Sequence, residues 1–506
     1  MSGADLDPAV LELMGDPATY AGGVDGVERV ETHAAHVFLA GDRAYKIKKP
    51  VDLGFLHFST VEARRTALEA ELALNRPAAP QLYRRLIWIT RDADGALALA
   101  GGGEPVEPVL EMIRFDQDRL LDRLALKGEV DGALARDLAD AVFDSHERAE
   151  VSTGYGADRI RTVLFKAAER CRREQGAPVR RIDVVSKTLN LRLTEHGALL
   201  DARARSGFLR RCHGDLHLKN IVLLDGRPVL FDALEFDEAL ATIDTLYDLA
   251  FLIMDLVHRG LERSAAALIS QYAARLDSQL AVEGLALLPA FCGVRALIKA
   301  MVCLERGGHG DGEEAQAYLS LAERCAQPVF TRLVGVGGLS GTGKSTLAEA
   351  LAPALGLPPG ALVIRADLER KVLEGVSWRS QLPRSAYTRD ASRRVYERQR
   401  EKAAWALSAG LPVVMDAVHS RPVERAALEQ VAADADAPFL GLWLDAGAQV
   451  IRNRVASRRN DPSDADLKVV DKQAGYDAGE IGWIRIDASD GAEAVLSAAS
   501  RAAGLA

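Results

Sequence analysis

Long apolar runs are missing from this 506-residue chain. The longest, Leu249 to Met254, is closed by Asp248 and Asp255, well short of the roughly 20 apolar residues of a spanning helix, so no membrane segment is expected. Cysteine is scarce. Cys171, Cys212, Cys292, Cys303 and Cys325 are an odd, scattered set with no C-x-x-C pair, which excludes a disulfide framework and a zinc ribbon and leaves reduced core thiols. Low-complexity tracts and internal repeats are absent, and 48% hydrophobic against 27% charged residues marks a globular chain. The opening MSGADLDPAVLELMGD has no basic stretch ahead of an apolar one, so no secretory leader is expected and a cytoplasmic setting is. Excess positive charge is missing too. The formal net charge is -9, with 40 Lys plus Arg against 50 Asp plus Glu in residues 1–330 and 23 against 22 in 331–506. That balance argues against wholesale binding to nucleic acid, though a local basic cleft is compatible with it.

The length suits two or three cores, since domains run to roughly 100 to 200 residues. The helical run AQAYLSLAERCAQ ends at Pro328, and beyond it apolar segments alternate with helical ones: RLVGVG, STLAEALAPALG, ALVIRAD, LPVVMDA, RAALEQVAADA, PFLGLWLD and onward. Such alternation predicts a parallel sheet covered by helices over 329–506. Residues 1–328 read differently. Short alternating segments at VERVET, HVFLA and RAYKIKK, a helix at STVEARRTALEAELALNR and strands at LYRRLIWIT and PVLEMIRF predict a sheet-rich small lobe over about 25–115. A mainly helical lobe follows over about 116–328, interrupted by VLL and PVLF around Asp225 and Gly226.

The tract GLSGTGKST, with Gly338, Gly341, Gly343, Lys344, Ser345 and Thr346, fits the G-x-x-x-x-G-K-[ST] pattern between an apolar strand and an apolar-periodic helix. Glycines let successive N–H groups face a triphosphate, and the helix N-terminus adds its positive end. Lys344 is expected at the β- and γ-phosphates and Ser345 at Mg²⁺. Arg365-Ala366-Asp367 closes the next apolar segment, and Arg370 shares a helix face with Asp367. A carboxylate there can take the proton of an attacking hydroxyl while the arginine clamps the acceptor or the transferring group; the plain alternative is an N-cap and a solvated cation. Asp416, ending LPVVMDA, stands where a carboxylate orients the metal's water. Arg452, Arg454, Arg458 and Arg459 run into NDPSDAD, an arginine-dense tract suited to a lid over phosphates, or to neutralisation by Asp461, Asp464 and Asp466. Between Arg379 and Arg400 the arginines could line a groove for a polyanion, but they are interleaved with Asp390, Glu397 and Glu401, which favours a salt-bridged helix surface. These residues resemble the small P-loop kinases that include polynucleotide 5′-kinases, gluconate kinases, zeta toxins and chloramphenicol phosphotransferases. The resemblance implies Asp367 as general base, Arg370 as clamp and Arg458 as lid arginine.

In the helical lobe, Cys212-His213-Gly214-Asp215-Leu216-His217-Leu218-Lys219-Asn220 precedes a short strand, and Asp232 follows in PVLFDALEFD. The five-residue step from Asp215 to Asn220 suits a loop in which a carboxylate takes the substrate proton and an amide holds Mg²⁺. Taken with Asp232, the set resembles the aminoglycoside phosphotransferase and choline kinase branch of the protein-kinase-like fold. The resemblance implies Asp215 as base, Asn220 and Asp232 as Mg²⁺ ligands, and Asp248 as a buried brace. It also implies Lys46 as the strand lysine on the α- and β-phosphates and Glu71 as its helix partner, although Lys48 and Glu69 compete for these two parts. Lys219 replaces a small residue, and His217 stands where protein kinases carry lysine.

The whole chain resembles the bacterial bifunctional aminoglycoside phosphotransferase/ATP-binding proteins. That implies an α+β two-lobed protein-kinase-like domain followed by an α/β P-loop kinase domain with a parallel sheet. It further implies ATP and Mg²⁺ as cofactors and hydroxyl acceptors without identifying them. Sugar-like or nucleoside-like metabolites are the expected acceptors, the near-neutral charge of 331–506 disfavours nucleic acid, no membrane partner is expected, and the oligomeric state is left open. The alternatives are a nucleotide-binding regulatory protein with one inactive kinase domain, and a nucleic-acid 5′-end kinase.

Overall fold

The computed structural model describes residues 6–32, 34–52, 57–154, 157–308, 310–457 and 460–505. The chain separates into two compact units. One comprises Met1–Glu129, Ser145–Glu150 and Arg210–Ile243; the other comprises Val130–Asp144, Val151–Leu209 and Asp244–Ala506.

The first unit is built on an antiparallel sheet of β1 (Val27–Glu31), β2 (Ala35–Ala40), β3 (Arg43–Lys48), β4 (Tyr83–Arg91), β5 (Leu97–Leu99) and β6 (Glu104–Ile113), in the order β1-β2-β3-β6-β4-β5. Alternation along the strands gives the sheet two apolar faces. Phe38, Tyr45, Ile47, Ile89 and Val109 pack with Val10 and Met14 of the helix Pro8–Gly15, whereas Leu39, Ala44, Leu110 and Met112 pack with Leu68 of the helix Val61–Asn75. Lys46 and Lys48 share strand parity with Ala44 and so belong to the second face. The helix Val61–Asn75 starts where the Thr60 hydroxyl accepts from Ala63 N, at 3.1 Å. It buries Arg64, Ala67, Leu68, Glu71 and Asn75 at helical spacing. Arg64 fastens it to β6 by a buried two-pronged pair, Nε and Nη2 each donating to Glu107 at 2.6 Å. A hairpin, Ile221–Leu224 against Arg227–Leu230, turns at Asp225-Gly226 with φ of +48 and +74 and adds Val222 and Val229 to the same core.

The second unit contains a five-stranded parallel sheet in the order Leu362–Arg365, Val413–Asp416, Leu333–Gly338, Phe439–Asp445, Ile484–Asp487. The expected P-loop architecture is present. Its core joins Val334, Val336, Val363, Val414 and Leu442 to Leu347 and Leu351 of the helix Lys344–Leu351. Ala266, from the helix Glu262–Ala274 of the helical segment, belongs to that core as well. One stretch departs from the expectation about apolar runs: Gln279–Arg306 is long and apolar enough to cross a membrane by length and composition, but 78% of its apolar window is buried inside the protein. Arg295 and Lys299 break the run in sequence. Arg295 turns onto Tyr247, its guanidinium 3.9 Å from the ring centroid, so its charge is absorbed by packing. All five cysteines are buried, and none of them forms a disulfide.

Candidate functional site

The first constellation lies wholly within the first unit. Lys46 Nζ donates to Glu71 Oε1 and to Asp232 Oδ1, both at 2.7 Å. Lys48 Nζ lies 2.7 Å from Glu71 Oε2 and donates to Glu235 Oε1 at 2.5 Å. Glu71 therefore serves both lysines, accepting a hydrogen bond from Lys46 and ion-paired with Lys48, and the competition resolves by helical phase. Glu71 is on the buried face with 0% exposure, while Glu69 is exposed and takes Arg65 at 2.8 Å. Asp232 is aimed by its backbone. It sits at φ +58, tolerated by aspartate, and its N–H donates to the Tyr83 hydroxyl at 3.0 Å, while Ala233 N donates to Asn75 Oδ1 at 2.8 Å.

Opposite stands the loop of Asp215 and Asn220. Asn220 Nδ2 donates to the carbonyl and to Oδ2 of Asp215, each at 2.9 Å, and His217 Nε2 lies 3.3 Å from the same carboxylate. His213 pins the loop through a ring nitrogen 2.9 Å from the Phe231 carbonyl. Desolvation raises the Asp232 carboxyl, but Lys46 and then Lys48 outweigh it and hold its pKa below the ordinary range. Desolvation likewise works against the charge on Lys46, and Asp232 and Glu71 overcome it, keeping the ammonium protonated.

The second constellation belongs to the parallel sheet. At Gly338 the backbone sits at φ +136, and a Cβ would stand 2.4 Å from the Leu444 carbonyl oxygen; at Gly341, φ +88, it would meet Val455 Cγ2 at 2.8 Å. Only glycine allows the loop to curl so tightly. Gly343, φ +93, precedes the helix Lys344–Leu351. Lys344 Nζ donates back to the Leu339 carbonyl at 2.9 Å, and Ser340 N donates to Gln473 Oε1 at 2.7 Å. A cavity of about 1390 Å³ opens here, lined by Lys344, Ser345 and Thr346 of the loop and by Asp367, Arg370 and Asp416. Asp416 ends its strand fully buried, hydrogen-bonded to Ser345 and with Oδ2 3.4 Å from Arg365 Nε. Burial raises its carboxyl, and Arg365 and Lys344 offset this only in part. Arg370 donates to the Ala386 carbonyl at 2.6 Å and faces the Tyr387 ring at 4.8 Å.

The structure thus brings together Lys46, Glu71, Asp215, Asn220 and Asp232 in one place. In another it gathers Gly341, Gly343, Lys344, Ser345, Thr346, Asp367, Arg370 and Asp416, with Gly338 at the strand end beneath. Arg458 lies outside the described residues. Arg454 is used structurally, donating to the Ala488 carbonyl at 2.7 Å and to the Asp490 carbonyl at 2.9 Å. Of the aspartates after the arginine tract, Asp464 has distant partners, taking Lys371 Nζ at 2.7 Å and the Tyr387 hydroxyl at 2.6 Å, and Asp466 acts locally, capping the helix Leu467–Ala474. Along Arg389–Ser408, Arg393 pairs locally with Asp390 and Glu397 as on a solvated face. Arg398 instead turns inward to Glu369 at 2.7 Å, while Arg389 and Arg400 line the cavity. Sequence reasoning passed over Arg365, which is 2% exposed. Its place beside Asp367 at a strand end was the available signal. Glu235 and Tyr83 carried none.

Comparison with known proteins adds two family matches, the phosphotransferase enzyme family over residues 60–282 and an AAA domain over 333–476. An uncharacterized protein of Mycobacterium tuberculosis is 31% identical over 470 residues, covering 89% of this chain and 90% of its own length, and one of Mycobacterium bovis matches equally. Among solved structures, a choline/ethanolamine kinase family protein from Mesorhizobium loti is 14% identical, with a TM-score of 0.40, covering 63% of this chain and 95% of its own. A sugar kinase from Janibacter sp. is 22% identical, with a TM-score of 0.27, covering 35% of this chain and 96% of its own. Both scores lie below one half, so neither likeness identifies an acceptor.

Proposed function

The chain belongs to the same family as its mycobacterial relatives and is a kinase with two kinase-like domains, and from that premise we propose that both domains transfer the γ-phosphoryl group of ATP to hydroxyl groups of small, sugar-like or nucleoside-like metabolites. The functional division is 1–328 and 329–506, which differs from the division by compactness because the helical segment packs with the parallel sheet. The observation that carries the reading is the convergence at the first site of a phosphate-side lysine, a metal-side carboxylate and a base. Lys46 lies 2.7 Å from Asp232, and Asp215 lies 2.9 Å from Asn220.

At that site Lys46 meets the α- and β-phosphates with Glu71 fixing its position, and Asp215 accepts the proton of the acceptor hydroxyl. Asn220 donates its amide nitrogen to Asp215, so its carbonyl oxygen would be left, with the Asp232 carboxylate, to form the hard oxygen set that suits Mg²⁺. Ser345 and Asp416, hydrogen-bonded to each other, are an oxygen pair of the same kind. Bound there, Mg²⁺ neutralises charge on the phosphates. At the second site the phosphate-loop amides and Lys344 hold the triphosphate, Asp367 takes the acceptor proton, and Arg370 clamps the acceptor side. Arg458 keeps its lid role on the sequence pattern alone. Among the described residues, Arg389 and Arg400 line this cavity without an ion-pair partner, which favours an acceptor carrying an anionic group besides its hydroxyl. The free buried thiols fit a reducing, cytoplasmic setting.

The test is an acceptor screen of the full chain with metabolite mixtures, read by mass spectrometry, beside Asp215→Asn and Asp367→Asn. Each phosphorylated product should vanish in one variant and persist in the other. Products that survive in both variants overturn the assignment of the bases.

A further inference from the structure

Inside the second unit, the helical segment contributes more than packing to the parallel-sheet half. Ser270 Oγ donates to the Val363 carbonyl at 2.8 Å, within the strand that leads to Asp367. Lys402 Nζ donates to the Ala273 and Ala274 carbonyls at 2.9 and 2.8 Å, closing the C-terminal end of the helix Glu262–Ala274, and to both Glu369 oxygens at 3.0 Å. Asp137 accepts from Trp378 Nε1 at 3.1 Å and from Arg379 Nε at 3.0 Å.

One chain of charges, buried at Arg136, Arg365 and Asp416 and partly buried at Glu349, runs from this contact to the phosphate loop. Arg136, on the helix Gly132–Arg148 and 4% exposed, donates through Nη1 to the Gly132 carbonyl at 2.8 Å and through Nη2 to Glu349 Oε1. The same Glu349 oxygen accepts from Arg365 Nη1 at 2.8 Å. Arg365 then stands 3.4 Å from Asp416 and 3.5 Å from Asp461, both of which line the cavity. Neither Arg136, Glu349 nor Arg365 lines it. Two buried arginines thus converge on one partly buried carboxylate. Desolvating such charges offsets much of their attraction, so stability alone is a weak reason for the arrangement; removing Glu349 takes the shared counterion from two buried arginines, whereas removing Arg136 leaves Glu349 to Arg365 alone.

We propose that Arg136 is a positioning residue of the phosphate-loop site, holding Glu349, and through it Arg365, in the arrangement that sets Asp416 and Asp461 against the loop. The helical segment of the first kinase is then part of the second kinase's machinery, and the two domains are joined in one chain because the phosphate-loop site is incomplete without Arg136. The inference rests on the reading of Asp416 as the metal-side carboxylate. Arg365 acts at second remove from the nucleotide, like the outer partners that orient metal ligands.

The test is calorimetric titration of the full chain with a non-hydrolysable ATP analogue, adenylyl imidodiphosphate, with and without Mg²⁺. The binding event lost in Lys344→Ala marks the phosphate-loop site. Arg136→Met should cut the Mg²⁺-dependent gain in affinity at that event roughly tenfold, the size expected of an outer partner, while leaving the metal-free affinity within about twofold. Arg136→Lys should recover part of the gain, and adding Glu349→Gln to Arg136→Met should change little further, because one relay is already broken. A lowered melting temperature with the Mg²⁺ gain intact would show a merely structural role and overturn the proposal. Should Arg136→Met fail to fold, Arg136→Lys and Glu349→Gln alone are read by the same criterion. Asp416→Asn separates the two levels. If it leaves the Mg²⁺ gain intact, the reading of Asp416 falls and takes the proposal with it; if it removes the gain while Arg136→Met does not, the relay alone falls.

Discussion

In the first unit Lys46 sits between Glu71 and Asp232, each 2.7 Å away, with Lys48 and Glu235 completing a ring of two lysines and three carboxylates. In the second, Lys344 donates to a neutral carbonyl, and the carboxylate Asp416 is buried with Arg365 at 3.4 Å. A phosphate approaching the first site meets excess negative charge and must displace a carboxylate from the lysine, which makes a divalent cation part of the welcome. At the second site the ammonium rests on the loop's own Leu339 carbonyl at the start of the helix Lys344–Leu351, whose positive end suits a phosphate. The first site is therefore expected to lose nucleotide more steeply than the second when Mg²⁺ is withdrawn. The first site also draws all its members from one compact unit, whereas in the second Asp416 is linked through Arg365 and Glu349 to Arg136 of the helical segment.

The largest effect should come from Lys344→Ala, which removes the cation of the second site. Nucleotide titration of the full chain should fall from two sites to one, and retention of both would break the contrast at its root. Next is Asp215→Asn. An amide cannot take the acceptor proton, so transfer at the first site should drop by about 10²- to 10⁴-fold while Mg·ATP affinity holds. Asp232→Asn should instead weaken metal-dependent binding, and equal loss of affinity in both variants would contradict the division of roles. A smaller separation is expected between the lysines. Lys46→Met removes a charge-assisted contact worth about 1.5–3 kcal/mol, seen as weaker nucleotide affinity. Lys48→Met, whose lysine pairs with Glu71 and Glu235, should act mainly on the melting temperature; identical profiles would merge their roles.

The smallest effect sharpens the difference in burial. His419, 3% exposed and three residues past Asp416, is stacked on Tyr396 and edge-on to Trp483, with neither ring nitrogen hydrogen-bonded. Burial first, then Lys344, Arg425 and Arg400, push its pKa down to about 3. Below about pH 6.5 the unfolded histidine takes a proton that the folded one refuses, so stability falls as pH drops toward 3. The slope attributable to this residue approaches about 1.4 kcal/mol per pH unit. His419→Asn, neutral and tolerant of the local φ of +48, should flatten the melting-temperature profile between pH 6.5 and 4.5. An unchanged slope would assign the acid sensitivity elsewhere.

How legible each part was depends on how local its physics is. The phosphate loop could be read because its conformation is set by glycines within nine residues of chain, and the step from Asp215 to Asn220 because a single turn fixes that geometry. The choice between Glu69 and Glu71 needed the helix phase, and that depended on which face Arg64 and Leu68 bury. The inward turn of Arg398 escaped a reading based on neighbouring charges, because its partners Ala274 and Leu276 are more than 120 residues away.

Sequence alone determined the two architectures and the nucleotide loop, since strand and helix periodicity, turn glycines and short motif spacings are properties of neighbouring residues. Tertiary structure alone decided that Glu71 serves both lysines, that Ala266 belongs to the core of the parallel sheet, and that Arg136, Glu349 and Arg365 stand in line behind Asp416. A buried charge takes whichever counterion the fold delivers to it, and 213 positions separate Arg136 from Glu349. No pattern along the chain encodes that pairing; it exists because two helices distant in sequence are packed into one dry interior.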